Sequence, residues 1–160
     1  MLIAFIGFED SWAIPPCRGS FPCEFTSESS AVAQAQAVVF HSTVLHLAPG
    51  MDRPTSQCWV AWSMESEVTV PALTDANVMA CFDVTMTYRR SSDIWTPYVT
   101  RQLLGELSRP PRPKTAAYPV ARVQSNPYDV SGRNRYSTEL MKRLKIASYG
   151  AVAPTVDWPT

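Results

Sequence analysis

Four strand-length apolar runs, separated by polar and proline-containing segments, limit what this chain can fold into. They lie in residues 2–8, in "AVVFHSTV", in "CWVAWSM" and in "FDVTMTYR". The first three are nearly continuous, as strands buried on both faces are, and the last alternates. Ser27 and Ser30, followed by "AVAQAQA", offer a short helix before the second run, while the proline-cysteine segment at 15–23 reads as an irregular connection. Short strands interleaved with helical segments point to an α/β layer.

With 160 residues, the chain can bury one core, or one domain and the beginning of another. Its 46% hydrophobic and 18% charged content is that of a folded chain. Lys plus Arg and Asp plus Glu both number 14, so no global basic field exists to recruit nucleic acid, although local arginine clusters at 89–90, 109–112 and 133–135 leave room for a small phosphate ester. The opening "MLIAFIGFED" lacks a basic leader, is too short to span a membrane and runs directly into Glu9 and Asp10, which favours a strand over a signal peptide and leaves no address in these residues. Cys17 and Cys23 bracket "RGSFP" and could close a small loop in an oxidising compartment, or remain ordinary thiols beside Cys58 and Cys81. His41 and His46 do not fall in register with the cysteines, so no metal site is expected.

The basic, proline-rich "RPPRPKT" interrupts regular structure and marks a linker, placed at 109–117 between a first domain at 1–108 and a second segment at 118–160. That second segment opens with a strand, "YPVARVQSN", and a polar turn. A helix then follows, with Tyr136, Leu140 and Leu144 on one face and Lys142, Arg143 and Lys145 toward its carboxyl end. Strand, turn and helix make the first unit of a second α/β domain, and "APTVDWPT" adds none of the further elements that a doubly wound sheet needs.

Glu65 follows the run that contains Trp59 and Trp62. A carboxylate at the carboxyl mouth of such a strand is partly desolvated, which suits a general base; a solvated loop glutamate is the plain alternative, and Glu67 competes for the role. "YRRSSD" groups Arg89 and Arg90 with Asp93, either to grip phosphate or carboxylate or to form a structural salt bridge. "SNPYDVSGRNRY" sets Ser125 and Asn126 at a strand end and Arg133 at a helix start, which makes either a diphosphate cradle or a capped helix with surface arginines. No glycine-rich dinucleotide or P-loop motif occurs. His46 reads as structural, and His41, at a strand end, is left open to contact a sugar.

In order and spacing these pieces resemble the α-1,3/4-fucosyltransferase family. The pattern "ADAVVFH … RP.Q.WVW.S.ESP … FN.T..YRRDSD…PYG" is similar to "AQAVVFH" at 35–41, "RPTSQCWVAWSMES" at 53–66 and "FDVTMTYRRSSDIWTPY" at 82–98. The family's "SNC…R..Y…L" is similar to the segment that begins "SNPYDVSGRNRYSTEL". The resemblance implies the Rossmann-like amino-terminal domain of a GT-B glycosyltransferase, followed by the truncated start of a second Rossmann-like domain. It implies inverting transfer of L-fucose from GDP-fucose, as a donor cosubstrate with no tightly bound cofactor, to an N-acetylglucosamine hydroxyl of a glycoconjugate, in protein glycosylation. It places the base on Glu65 and donor contacts on Ser125, Asn126 and Arg133. Family members are Golgi membrane proteins, so it further implies a Golgi location, with membrane association only through a segment absent here.

The pattern is broken in places. "ESE" stands for "ESP" at 65–67, "FDVT" for "FN.T" at 82–85, serines for the Asp of "RRDSD", and Pro127 for a cysteine. The family's later "FENS…DYVTEK" motif has no counterpart, which implies a chain incomplete for catalysis by itself, with a noncatalytic carbohydrate- or partner-binding remnant as the alternative.

Overall fold

The computed structural model describes residues 1–8, 16–18, 20–111, 113 and 117–158. Glu9 and Asp10, which follow the first run, lie outside the described residues, as do part of the segment at 15–23 and residues 112 and 114–116 of the proline-rich stretch. The chain divides into two compact units, Met1–Ser108 and Arg109–Thr160.

The first unit is a six-stranded parallel sheet. Its strands are β1 (Leu2–Ile6), β2 (Glu24–Thr26), β3 (Ala37–His41), β4 (Cys58–Ser63), β5 (Val84–Thr87) and β6 (Ile94–Trp95), arranged in the order β2-β1-β3-β4-β5-β6. The apolar runs at 2–8, 37–41, 58–63 and 84–87 are thus strands as expected, and β2 and β6, only three and two residues long, are additions. Register places Val38 beside Trp59 and Phe40 beside Ala61. These four residues, with Ala4, Ala35, Leu45, Ala48 and Val78, form the buried core. Consecutive buried residues on β3 (Val38, Val39, Phe40) and β4 (Trp59, Val60, Ala61) explain why their sequences do not alternate.

Connections are short. The "AVAQAQA" helix is a 3₁₀ turn, Ser29–Gln34, and a second 3₁₀ turn at Leu45–Gly50 carries an exposed His46 in place of the structural histidine expected. Helix α1 (Ala76–Met79) is capped by Asp75, which accepts the Asn77 and Val78 N–H groups at 2.9 and 3.4 Å. Helix α2 (Arg101–Leu107) is capped by Thr100 through the Leu103 N–H at 3.2 Å. Cys17 and Cys23 are joined by a disulfide, which settles the alternative left open in favour of the closed loop.

From β1 the chain passes to β2 on one side and then returns across β1 to β3 on the other, so the β1/β3 boundary is a switch point of the kind where α/β sheets open a crevice at their carboxyl ends. The turn there requires glycine. Gly7 adopts φ +78°, and a Cβ would meet Val44 Cγ2 at 2.5 Å.

The second unit contains β7 (Val120–Val123), α3 (Arg133–Met141) and β8 (Ile146–Tyr149), with β7 and β8 parallel. The single helix expected through Leu144 is corrected. The helix stops at Met141 because Ile146, Ala147 and Ser148 leave it to pair with β7 and become buried. Leu144 therefore lies beyond the helix, and Tyr136, meant for its apolar face, is 70% exposed. What results is a complete β-α-β unit.

Candidate active site

Four residues after the register pair Ala61–Thr85, the chain turns at the carboxyl end of β4 and presents Glu65. The turn is held by a side chain. Fully buried Ser63 accepts the Glu65 N–H at 3.0 Å and donates its hydroxyl to the Glu65 carbonyl at 3.1 Å. From far along the sequence, the Tyr98 hydroxyl donates to the neighbouring Met64 carbonyl. The Tyr98 ring is largely in solvent, but its hydroxyl end is tucked against that carbonyl. Desolvation first, and then the negative charges of Glu65 and Tyr88, raise the phenol above its ordinary pKa. Ser63 and Tyr98 fix the Glu65 backbone, and neither stood out in the sequence.

Glu65 is exposed, so the partial desolvation expected of it is not supplied by the first unit. Its side chain lines a cleft of about 260 Å³ with Glu67, Tyr88 and Arg89. Arg89 Nη2 lies 2.5 Å from Glu67 Oε1, and the hydrogen bond from Arg89 is the main reason the Glu67 carboxyl titrates below its ordinary value. Two other members of "YRRSSD" make contacts within the fold. Asp93 accepts the backbone N–H and the hydroxyl of Thr85, both at 2.8 Å, which lowers its pKa, and Arg90 stacks 5.5 Å from the Trp95 ring.

Beside this turn the sheet edge is aromatic. Phe8 stacks on Trp62 at 4.9 Å with ring planes 3° apart, and the His41 ring is 5.2 Å from each. His41 Nδ1 is 2.9 Å from the Thr43 hydroxyl. Since His41 and Trp62 are register partners on β3 and β4, the histidine left open in the sequence does stand at the same sheet edge as Glu65.

At the opposite end of the strands, the "FDVT" departure has a structural explanation. The Asp83 carboxylate pairs with Arg53 and accepts the Trp59 N–H at 2.8 Å. Arg53 also reaches the Gln57 carbonyl at 2.7 Å and the Cys81 carbonyl at 3.0 Å. Below it, Gln57 is 3% exposed; its amide donates to the Val32 and Ala35 carbonyls at 2.8 and 2.9 Å, and its oxygen accepts the Trp59 indole N–H at 2.7 Å.

In the second unit, Ser125 and Asn126 lie in the connection from β7 to α3, and Arg133 is the first residue of α3. Ser125 and Asn126 are exposed, and the Asn126 side chain accepts the Tyr128 N–H at 2.9 Å. Arg133 points back along the loop, 3.5 Å from the Tyr128 carbonyl and 4.0 Å from Asp129. Asp129 was not anticipated. Its carboxylate accepts the Asn134 N–H at 2.7 Å and both the N–H and the hydroxyl of Ser131, so the start of α3 already holds an anion. These bonds, led by that from Asn134, lower its pKa from 3.8 to about 2. A carboxylate depressed in the folded state stabilises above its ordinary pKa, and the contribution fades as pH falls through about 2. Acidification from about pH 4 to 2 is therefore expected to loosen α3, as followed by the exchange rate of the Asn134 amide. Asp129→Asn should flatten that dependence, and an identical acid profile in the variant would remove Asp129 from the account.

Among the described residues no three His, Cys, Asp or Glu side chains gather as a metal set, and no helix is long and apolar enough to cross a membrane.

A parallel, Rossmann-like α/β sheet with a carboxylate at its carboxyl edge, followed by the small β7–β8 sheet, defines the class of protein. Residues 1–99 match the family described as "Fucosyltransferase, N-terminal", and the chain belongs to that family. It is 34% identical over 154 residues to 4-galactosyl-N-acetylglucosaminide 3-alpha-L-fucosyltransferase FUT5 of Homo sapiens, covering 89% of this chain and 41% of the relative. The FUT6 protein of Homo sapiens is 32% identical with 89% and 42% covered, and fucosyltransferase 9 of Mus musculus is 30% identical with 89% and 41% covered. The chain thus spans about two fifths of the length of these curated relatives.

Proposed function

We propose that residues 1–108 are the acceptor-side domain of an inverting, GDP-fucose-dependent fucosyltransferase, that 109–117 link it onward, and that 118–160 begin the donor-binding domain of a GT-B pair. The observation that carries this reading is Glu65, fixed by Ser63 and Tyr98 at the mouth of β4 within the segment that matches the family. Glu65 takes the proton of an acceptor hydroxyl as that oxygen bonds to the anomeric carbon of fucose. The bond from that carbon to phosphate breaks on the opposite face, and GDP leaves with the electron pair. The acceptor is a glycoconjugate bearing N-acetylglucosamine, in keeping with the names of the relatives, and the setting is protein glycosylation in the Golgi. GDP-fucose is a cosubstrate; Ser125, Asn126 and Arg133 border its diphosphate.

Asp129 favours a second reading for these 160 residues, as a glycan-binding portion without donor affinity, because its carboxylate stands where a phosphate would seek N–H donors. Calorimetric titration of the chain with N-acetyllactosamine and with GDP separates the two. Glycan binding together with micromolar GDP binding that Arg133→Ala removes supports the transferase reading with a working donor site. Glycan binding alone supports the second reading, and binding of neither refutes both.

A further inference from the structure

The cleft beside Glu65 has an unbalanced charge. Among the described residues its lining includes three side chains of charged type, Glu65, Glu67 and Arg89, and the cation is engaged by Glu67 at 2.5 Å. With Arg89 neutralised, the net charge left facing an incoming ligand is that of the Glu65 carboxylate. Thr85, Thr87 and Tyr88 also line the cleft and carry hydroxyls.

We propose that Glu67 is a specificity-determining residue: by occupying Arg89, it makes the cleft accept neutral oligosaccharides and reject those carrying a carboxylate or sulfate near the reacting sugar. The inference rests on the acceptor-site reading given above. Physically it is repulsion built against the wrong ligand. A neutral sugar meets hydroxyls and carboxylate oxygens that can share its O–H groups, whereas an anionic sugar meets Glu65 while the one cation among the described lining residues, Arg89, is held by Glu67. Freeing Arg89 would supply a planar fork suited to carboxylate or sulfate.

The test uses the 160-residue chain, titrated with N-acetyllactosamine and with the same disaccharide sulfated on galactose, at low salt. The wild-type chain should bind the neutral sugar about tenfold more tightly, the size expected for one like charge in a partly exposed cleft. Glu67→Gln should erase most of that gap by tightening the sulfated ligand, while Arg89→Gln should widen it. Added salt should shrink the gap in the wild type. Equal binding of both sugars by the wild type, or the same gap in all three chains, overturns the charge gate and leaves the acceptor site standing. Binding of neither sugar by a wild-type chain with native near-ultraviolet dichroism overturns the acceptor site, and the gate with it.

Discussion

Gln57→Leu should lower the stability of the first unit by about 3 kcal/mol or more, the largest effect expected of a single substitution outside the apolar core. Leucine fills nearly the same space but offers no polar atom. The Val32 and Ala35 carbonyls and the Trp59 indole N–H would each lose the partner they find in Gln57. Ala35 and Trp59 are buried, so water does not replace those bonds without opening the sheet. Each uncompensated group costs about 1–3 kcal/mol. Because Gln57 ties the 3₁₀ turn before β3 to the start of β4, the loss should appear as a lower urea midpoint with little change in slope. A change below about 1 kcal/mol would mean that the turn relaxes to reach solvent, and that the network is less essential than its burial implies.

Glu65→Gln should leave folding intact and abolish most transfer. In a form of the protein competent for transfer, kcat should fall by about 10²–10⁴-fold, the usual contribution of a positioned acid or base. The contacts between Ser63 and Glu65 run through the Glu65 backbone, so the amide keeps the geometry of the turn while losing the ability to take a proton. Acceptor affinity measured on the 160-residue chain should change little. A fall in kcat smaller than about tenfold would assign the proton to another group. A matching loss of acceptor binding would make Glu65 a binding residue.

The strands that could be read from the sequence are those whose burial on both faces needs continuous apolar residues, as in "AVVFH" and "CWVAWS". Strands β2 and β6 could not, because two or three residues have no period and exist only by pairing with β1 and β5. Strand β8 was concealed by spacing: Leu144 continues the rhythm of Tyr136 and Leu140, and only the pairing of Ile146 with Val120 ends the helix. The place of Glu65 was legible because an apolar strand ends just before it. Its supports were not, since the bond from Tyr98 to Met64 joins residues 34 apart and has no local signature. Likewise, nothing in "PYDVSGR" distinguishes an Asp that caps its own helix from one that leaves the helix start free; that depends on the turn through Ser131 and Gly132.

The burial of Trp59 gives the molecule its own optical probe. At 2% exposure, against Phe40 and with its indole N–H given to Gln57, this ring should emit at short wavelength and shift red when the β3–β4 core opens. The second unit has a single tryptophan, Trp158, which is 60% exposed and 5.0 Å from Tyr149, so its emission is already that of a wet indole. Denaturation followed by fluorescence therefore reports mainly on the first unit, and far-ultraviolet dichroism on both. Transitions that fail to coincide between the two signals would reveal units that melt separately.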